Sequence, residues 1–469
     1  MKSHSNWIIE ELSGVSLGDK RLDDRLFQIS ESFYNSPELS IQSSCNGWAE
    51  TKAAYRFFDN EKVTADKILS PHMESTLQRV SKEKIVLMVQ DTTLIDCSHR
   101  ESAIDGIGHL FRDSDQGFLL HPTIAVTPDK RCLGVVHNHC WVRKELGVRH
   151  DFSKKTASEK ETQRWLESYR YSNEIAKNNP GTSVINIADR EADVYEFFME
   201  TLGNLEADNN AGWIIRSAYN RKLMNSEKPE HLLWNKLRAG EIVQQIEFDL
   251  PNYKKHDRKT NKVTQEIRAA RVTLKPCKGI KMRSLKPVDV TAVLCTEKNT
   301  PEGAKPIEWL LLTSIELNQE TTPEIIVQYY LCRWQIELYF KTLKSGCKIE
   351  CLQLDSYKKL NACIALYMII AWRIMFITMV ARDAKNVPCT LLLGDEEWKT
   401  AFILANRKPP PEQIPTLYEM TRIIGKLGGF LGRKSDGESG IKAIWTGMNK
   451  VRQALTITNN KMDYDYEII

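Results

Sequence analysis

The sequence lacks several patterns that would point directly to a class of protein. Its eleven cysteines have no paired spacing, which is typical of a reduced, intracellular chain and excludes a disulfide framework. The N-terminal stretch MKSHSNWIIEELSG contains no continuous apolar run, so we expect no signal peptide. Walker A and GxSxG patterns are absent, which argues against a P-loop ATPase and an α/β-hydrolase.

Charge of one sign is also scarce, because the net charge is only +4. A nucleic-acid partner would therefore have to meet a local basic patch rather than the whole surface. The 469 residues, of which 42% are hydrophobic and 27% charged, are typical of a soluble globular protein with two or three domains.

One apolar segment, residues 360–381, is long enough to cross a bilayer. Arg373 lies near its middle, and no second segment of this kind accompanies it. Because a charged residue inside a single membrane span is costly, we predict a fully buried helix in a helical domain and no membrane association.

The hydrophobic period changes along the chain. Residues 1–70 have a helical pattern, whereas KIVLMVQD (84–91) and SVINIADREAD (183–193) are apolar strands that end in an acid. Several β segments without strong helical patterns occupy residues 212–315, and helical patterns follow. The predicted fold is therefore α/β, a mixed-sheet core with an all-β insertion between helical N- and C-terminal regions.

The two strands end in Asp91 and Asp189, and a predicted helix after Thr322 carries Glu337. Functional side chains gather at strand ends in open α/β sheets, and neighbouring strands lie about 4.8 Å apart, so these acids can converge on divalent ions. Mg²⁺ prefers oxygen ligands, and two such ions can drive an in-line displacement at phosphorus. The structural alternative is that both aspartates are turn or helix-cap residues.

The predicted helix also carries a polar stripe. The stripe consists of Tyr330, Arg333, Glu337, Lys341 and Lys344. At about 100° per residue, these side chains fall within an arc of about 80° on the helix, and the residues on either side of the arc are apolar. A solvated ladder of i,i+4 ion pairs would give the same spacing, but the aromatic flanks favour a buried site.

Residues 251–286 contain twelve Lys or Arg against two Asp or Glu, a local charge of +10. Such a basic β hairpin is typical of a surface that contacts a phosphate backbone, and a solvated hairpin is the alternative. A zinc site built on His137, His139 and Cys140 is a weaker possibility, since no fourth ligand is evident.

The spacing Y-x2-R-x3-E-x6-K, with DREAD upstream and an aspartate after the first strand, resembles the bacterial DDE transposases that bear the YREK signature. The resemblance extends over nearly the whole chain, including SLGDKRLDDRL, AAYRFFDN, IEWLLLT and KLGGFLGRKSDGESG. It implies an RNase H-like catalytic domain (71–360) interrupted by the β insertion. It also implies a helical end-binding domain (1–70) and a helical dimerisation domain (361–469).

The resemblance further implies a hairpin-forming, cut-and-paste DNA transposase that acts in the cytoplasm on chromosomal or plasmid DNA as a synaptic homodimer. Asp91, Asp189 and Glu337 would hold two Mg²⁺ ions, with Mn²⁺ as a substitute. Trp309 would stack on a flipped base. The other implied DNA contacts are Tyr330, Arg333, Lys341, Lys344 and Arg216 near the acids, and Arg21, Arg25, Lys52 and Arg56 in the N-terminal region.

Two other functions stay open from the sequence. A metal-dependent, structure-selective nuclease would share the acidic triad but would never join DNA ends. An inactive DNA-binding descendant of a transposase would keep the fold without the chemistry, although the intact acids argue against it.

Overall fold

The computed structural model describes residues 6–100, 103–112, 114–143, 161–203, 209–224, 230–249, 262–276, 285–433 and 436–462. Residues 251–261 and 277–284 of the predicted basic hairpin lie outside these residues, and Lys262–Leu274 form a strand.

Helices predominate at the two ends of the chain and also occur between strands. They are α1 Asn6–Leu12, α2 Lys20–Asn35, α3 Ile41–Ser44, α4 Trp48–Asp59, α5 Ala65–Val80, α6 Gln163–Asn178, α7 Tyr195–Gly203, α8 Leu233–Ala239, α9 Pro323–Leu331, α10 Trp334–Lys341, α11 Tyr357–Asp383, α12 Asp395–Asn406, α13 Leu417–Leu427 and α14 Ile441–Met462.

The strands occupy the middle of the chain. They are β1 Ile85–Gln90, β2 Thr93–Asp96, β3 Gly108–His109, β4 Gln116–Val126, β5 Cys132–Trp141, β6 Ser183–Ala188, β7 Gly212–Arg216, β8 Gln244–Asp249, β9 Lys262–Leu274, β10 Val288–Glu297 and β11 Glu308–Thr313.

Among the described residues, these strands form one mixed sheet in the order β2-β4-β1-β6-β7-β11-β10-β9-β8, with β3 and β5 also paired to β4. β1 is antiparallel to β4 and parallel to β6, and β6 is parallel to β7. β1 and β6 are buried on both faces, which explains their continuous apolar sequences. The α/β fold with a mixed sheet and helical ends is confirmed.

The predicted insertion continues this same sheet. β11 pairs with β7, and β10, β9 and β8 follow as an antiparallel series. The prediction of an all-β insertion without helix between residues 212 and 315 is wrong, because α8 lies within this range. Its seven residues are too few to give a clear helical period, although Leu233 and Leu237 are buried.

The long apolar helix α11 packs at the centre of the molecule. In the described part of the chain it is the one helix long and apolar enough to cross a membrane, and 89% of its most apolar window is buried. Trp372 donates from Nε1 to the Cys132 carbonyl at 3.0 Å, and Tyr367 stacks on Phe33 at 5.2 Å. The prediction of a buried helix is confirmed, and α11 joins the sheet to the N-terminal helices.

The helix expected to carry the polar stripe begins as predicted but is not continuous. Thr322 caps α9 by accepting a hydrogen bond from the Ile325 N–H, with Pro323 in the first turn. At Cys332 and Arg333 the backbone N–H groups bond three residues back instead of four, which separates α9 from α10. A π-helical turn, Thr342–Gly346, then ends α10 and contains Lys344. Single residues of the sequence give no signal for either irregularity.

Candidate active site

The parallel pairing of β1 with β6 places Asp91 and Asp189 at the same edge of the sheet. The register aligns Val89 with Ile187, and each aspartate lies two residues after this pair, directly after the last residue of its strand. Parallel strands lie about 4.8 Å apart, so the two backbones approach each other closely at this point. Residues that are 98 positions apart in the sequence are neighbours here because of this pairing.

Arg333 brings Glu337 to the same edge. Its guanidinium donates from Nη1 to Asp91 Oδ2 at 2.6 Å and from Nη2 to Glu337 Oε1 at 3.0 Å. The side chains of Asp91 and Arg333 are both largely buried, whereas Glu337 is more exposed. A guanidinium suits this position because its planar fork can bind two carboxylates at once.

The ionisation of Asp91 reflects its burial and the acids around it. Burial, the largest cause, and the charges of Asp189 and Glu337 together raise the pKa of Asp91 to about 7, although Arg333 opposes this shift. The three acids are therefore close enough to influence one another electrically. A carboxylate that is costly to ionise in this way is stabilised by a bound cation.

The donor set fits a divalent ion, because three carboxylates supply the hard oxygen ligands that Mg²⁺ and Mn²⁺ prefer. Among the residues that the structure describes, no three His, Cys, Asp or Glu side chains stand close enough together to hold an ion as they are. Arg333 instead lies between Asp91 and Glu337. Binding of an ion by all three acids therefore requires Arg333 to release at least one of them.

Aromatic and cationic side chains line the neighbouring part of the sheet. Trp309 on β11 is half-buried, with its ring 6.4 Å from Tyr330 and 5.5 Å from Phe248. Burial raises the pKa of the buried Tyr330 hydroxyl, while the charges of Arg333 and Arg216 oppose this shift. Trp309, Tyr330, Arg216 and Arg333 thus form one group next to the acids.

The two lysines of the predicted stripe separate. Lys341 is exposed at the end of α10, whereas Lys344 lies in the π turn and pairs with Glu350 at 3.0 Å. Glu350 also accepts a hydrogen bond from the Asp96 N–H at 3.1 Å. Lys344 is therefore tied to the end of β2 rather than to the acidic triad.

The N-terminal candidates lie on α2 and α4, away from the strands that carry the aspartates. Arg21 is 90% exposed and pairs with its own N-cap residue, Asp19, at 2.9 Å. Arg25 is half-buried, and Lys52 and Arg56 are exposed.

The alternative zinc ligands are not assembled. Consecutive strand residues point to opposite faces, which separates Cys140 from His139. His139 instead pairs with Glu167 at 3.1 Å. The described residues thus provide no third ligand beside these histidines.

Sequence reasoning missed a buried arginine beneath the two aspartates. Arg164 on α6 donates from Nε to the Thr92 hydroxyl at 2.9 Å and from Nη2 to Glu191 at 2.7 Å. Its position in a charged helix resembles that of a solvated residue, and the sequence offers no signal that it is buried.

Three family models match the chain. A transposase DNA-binding model matches residues 4–63, a transposase DDE domain matches residues 128–372, and a transposase Tn5 dimerisation domain matches residues 369–465. The DDE match includes Asp189 and Glu337 but begins after Asp91.

A solved structure is similar over 99% of this chain and 78% of its own: a piggyBac transposase synaptic complex with hairpin DNA, at 10% identity and a TM-score of 0.35.

Proposed function

The chain belongs to the DDE transposases, a family of metal-dependent enzymes that cut and join DNA, and we propose that it excises and inserts its own transposon by a hairpin mechanism. Tyr330, Arg333, Glu337 and Lys344 would form the YREK signature, and the chain would be closely related to the transposase of the composite kanamycin-resistance transposon. The strongest support for DDE chemistry is the position of Asp91 and Asp189 at the ends of neighbouring parallel strands, with Glu337 held to Asp91 through Arg333.

Asp91, Asp189 and Glu337 would hold two Mg²⁺ ions, and Mn²⁺ would substitute for them. When bound, such ions activate a water or a 3′-hydroxyl and stabilise the leaving oxygen in an in-line displacement at phosphorus. The acids contribute by fixing these ions at the sheet edge. The raised pKa of Asp91 means that this carboxylate is easily neutralised until a cation arrives.

Arg333 would act as a temporary partner for the acids. It pairs with both Asp91 and Glu337, and it has the charge and the planar fork to bind a DNA phosphate instead. Transfer of Arg333 from the carboxylates to a phosphate would couple the arrival of DNA to the release of the metal ligands. Lys341, Lys344, Tyr330 and Arg216 would hold nearby phosphates.

A DNA hairpin requires a sharply bent backbone and a base outside the stack. Trp309 would receive that base, because it is half-buried and lies beside Tyr330. Nicking by water, attack of the freed 3′-hydroxyl on the opposite strand, and opening of the hairpin would then precede insertion.

The ends of the chain would provide recognition and assembly. We propose that residues 1–70 bind the transposon ends through Arg21, Arg25, Lys52 and Arg56, that residues 71–360 catalyse, and that residues 361–469 dimerise. The family matches at residues 4–63 and 369–465 support DNA binding and dimer formation by these regions. The synaptic homodimer would bring two ends together before cleavage.

The test uses purified protein, Mg²⁺ and a labelled duplex that carries the inverted repeat flanking the gene. Nicked, hairpin and joined products are separated on a denaturing gel for the wild type, Glu337→Gln and Glu320→Gln. Glu320 is exposed just before α9 and serves as the control. We expect all three products with the wild type and the control and none with Glu337→Gln. Nicks without joining would instead indicate a nuclease, and binding without cleavage an inactive descendant.

A further inference from the structure

Arg164 connects the two segments that carry the catalytic aspartates. Its Nε donates to the Thr92 hydroxyl at 2.9 Å, and its Nη2 donates to the Glu191 carboxylate at 2.7 Å. Thr92 is the residue after Asp91, and Glu191 is two residues after Asp189. One guanidinium on α6 therefore spans the loops that follow β1 and β6.

The same two residues bind the aspartates directly. The Thr92 N–H donates to Asp91 Oδ1 at 2.8 Å, and the Glu191 N–H donates to Asp189 Oδ1 at 2.7 Å. A continuous chain of contacts thus runs from one aspartate to the other through Thr92, Arg164 and Glu191. Each carboxylate is oriented by the backbone of a residue whose side chain Arg164 holds.

Arg164 is itself held in one place. It is 7% exposed and lies beside the rings of Trp141 and Trp165, with its guanidinium carbon 5.1 and 5.3 Å from their centres. Its Nη1 donates to the Glu161 carbonyl. A guanidinium that is buried beside two indole rings and bonded at all three nitrogens can set a distance rather than merely supply charge.

A buried polar network fixes the other end of the bridge. Because Thr92 accepts from Arg164, its hydroxyl hydrogen is free to donate to His121 Nδ1 at 2.8 Å. Burial lowers the pKa of His121 well below its usual value, so the ring is neutral and its Nε2–H donates to Gln90 Oε1 at 2.9 Å. Gln90 in turn donates to Asn186 on β6 at 2.7 Å.

We propose that Arg164 is a positioning residue that sets the separation and orientation of Asp91 and Asp189 for binding divalent ions. This inference rests on the proposed function, because it takes the two aspartates as metal ligands. Removal of residues that orient metal ligands typically lowers metal affinity or activity by about 10–100-fold. We expect a loss in this range when the bridge is broken.

A simple packing role for Arg164 makes different predictions. It would lower the melting temperature and the amount of active enzyme without changing the metal concentration required. Arg164→Lys separates the two roles, because lysine keeps the charge but concentrates its donors on one nitrogen and cannot span Thr92 and Glu191. Thr92→Val breaks the same bridge from the other end while keeping the side-chain shape.

The matched control is Arg170→Lys. Arg170 lies on the same helix and makes a bidentate pair with Glu200 at 2.8 and 2.9 Å, but it is 46% exposed and does not contact the aspartate loops. Loss of that fork should leave both metal affinity and cleavage at wild-type values.

The experiment measures Mn²⁺ binding by electron paramagnetic resonance of the free ion, using each full-length protein bound to the inverted-repeat duplex. Cleavage is titrated with Mg²⁺ in parallel. Arg164→Lys and Thr92→Val should each weaken Mn²⁺ binding and raise the half-saturating Mg²⁺ about 10-fold or more, with duplex affinity unchanged. The double variant should be no worse than the poorer single variant, because both changes break one bridge.

Wild-type metal affinity in Arg164→Lys, or losses that multiply in the double variant, would overturn the inference. If Arg164→Lys does not fold, Thr92→Val with wild-type Mn²⁺ affinity would do the same. A wild-type protein that binds the duplex but neither binds Mn²⁺ nor cleaves would instead contradict the proposed function, which keeps the two failures distinguishable.

Discussion

Arg333 Nη1 lies 2.6 Å from Asp91 Oδ2, although 242 residues separate them in the sequence. The same guanidinium holds Glu337 four residues further along at 3.0 Å. A cation of the protein thus occupies the position between two acids that we expect to bind metal. In the described structure one cation of the chain therefore pairs with two of the three acids.

Replacing Arg333 should destabilise the protein in a pH-dependent way. In Arg333→Ala the ionised Asp91 loses its partner at pH 8, whereas at pH 6 the carboxyl is mostly protonated because its pKa is about 7 even with Arg333 present. Thermal melting without metal should show a larger loss at pH 8 than at pH 6. Lys341→Ala, which removes an exposed cation at the end of α10, should lower the melting temperature at neither pH. Equal losses at both pH values would contradict the assigned ion pair.

Neutralising Asp91 should stabilise the metal-free protein. Its pKa rises from 3.8 to about 7 on folding, so the unfolded chain ionises first and the penalty grows between these pH values. Asp91→Asn should melt like the wild type near pH 4 and at a higher temperature than the wild type at pH 8. The gain in unfolding free energy at pH 8 should be at most about 4 kcal/mol. Mg²⁺ should stabilise the wild type and not the variant. A variant less stable at pH 8 would show that the carboxylate is not under electrostatic stress.

The contact between α1 and the sheet should fail in acid. Burial lowers the pKa of His72, and its neutral ring bonds Glu11 at 2.5 Å and accepts the Val135 N–H at 3.0 Å. The histidine binds a proton at a higher pH in the unfolded chain than in the folded one. The stability that this contact contributes is therefore complete above pH 6.5 and is lost as the pH falls towards the lower pKa of the folded state.

Glu11→Gln should show how much that contact contributes. It leaves Arg79, which donates to Glu11 at 2.8 and 3.0 Å, without a carboxylate partner. We expect a loss of about 3–5 kcal/mol of unfolding free energy at pH 7, the usual cost of breaking a buried pair. Denaturant unfolding of Glu10→Gln, on the exposed side of α1, gives the control.

Trp309 provides a separate test of the hairpin step. Trp309→Ala should leave the first nick unchanged and reduce hairpin formation about 10-fold, since stacking on an aromatic ring contributes about 1–3 kcal/mol per base. A 2-aminopurine base near the cleavage site should become less fluorescent in the variant, because fewer bases leave the stack. Trp234→Ala on α8 is the matched tryptophan control. An unchanged hairpin yield would remove Trp309 from the mechanism.

The elements that carry the proposed site could be predicted from the sequence where the relevant signal is local. β1 and β6 are continuous apolar runs that end in acids, and Thr322 and Pro323 have the residue types of a helix start. The break at Cys332 depends on a switch in hydrogen bonding that single residues do not reveal. Arg164 depends on tertiary packing against Trp141 and Trp165, so its sequence neighbourhood could not distinguish it from a surface arginine.

The most direct test of the central claim replaces a proposed ligand with one of different metal preference. Glu337→Cys offers a thiolate, which binds softer ions better than Mg²⁺. We predict that this variant binds the inverted-repeat duplex normally, fails to cleave it with Mg²⁺ and regains cleavage with Mn²⁺, whereas the wild type cleaves with both. Full cleavage by Glu337→Cys with Mg²⁺ would contradict the claim that Glu337 is a metal ligand of the active site.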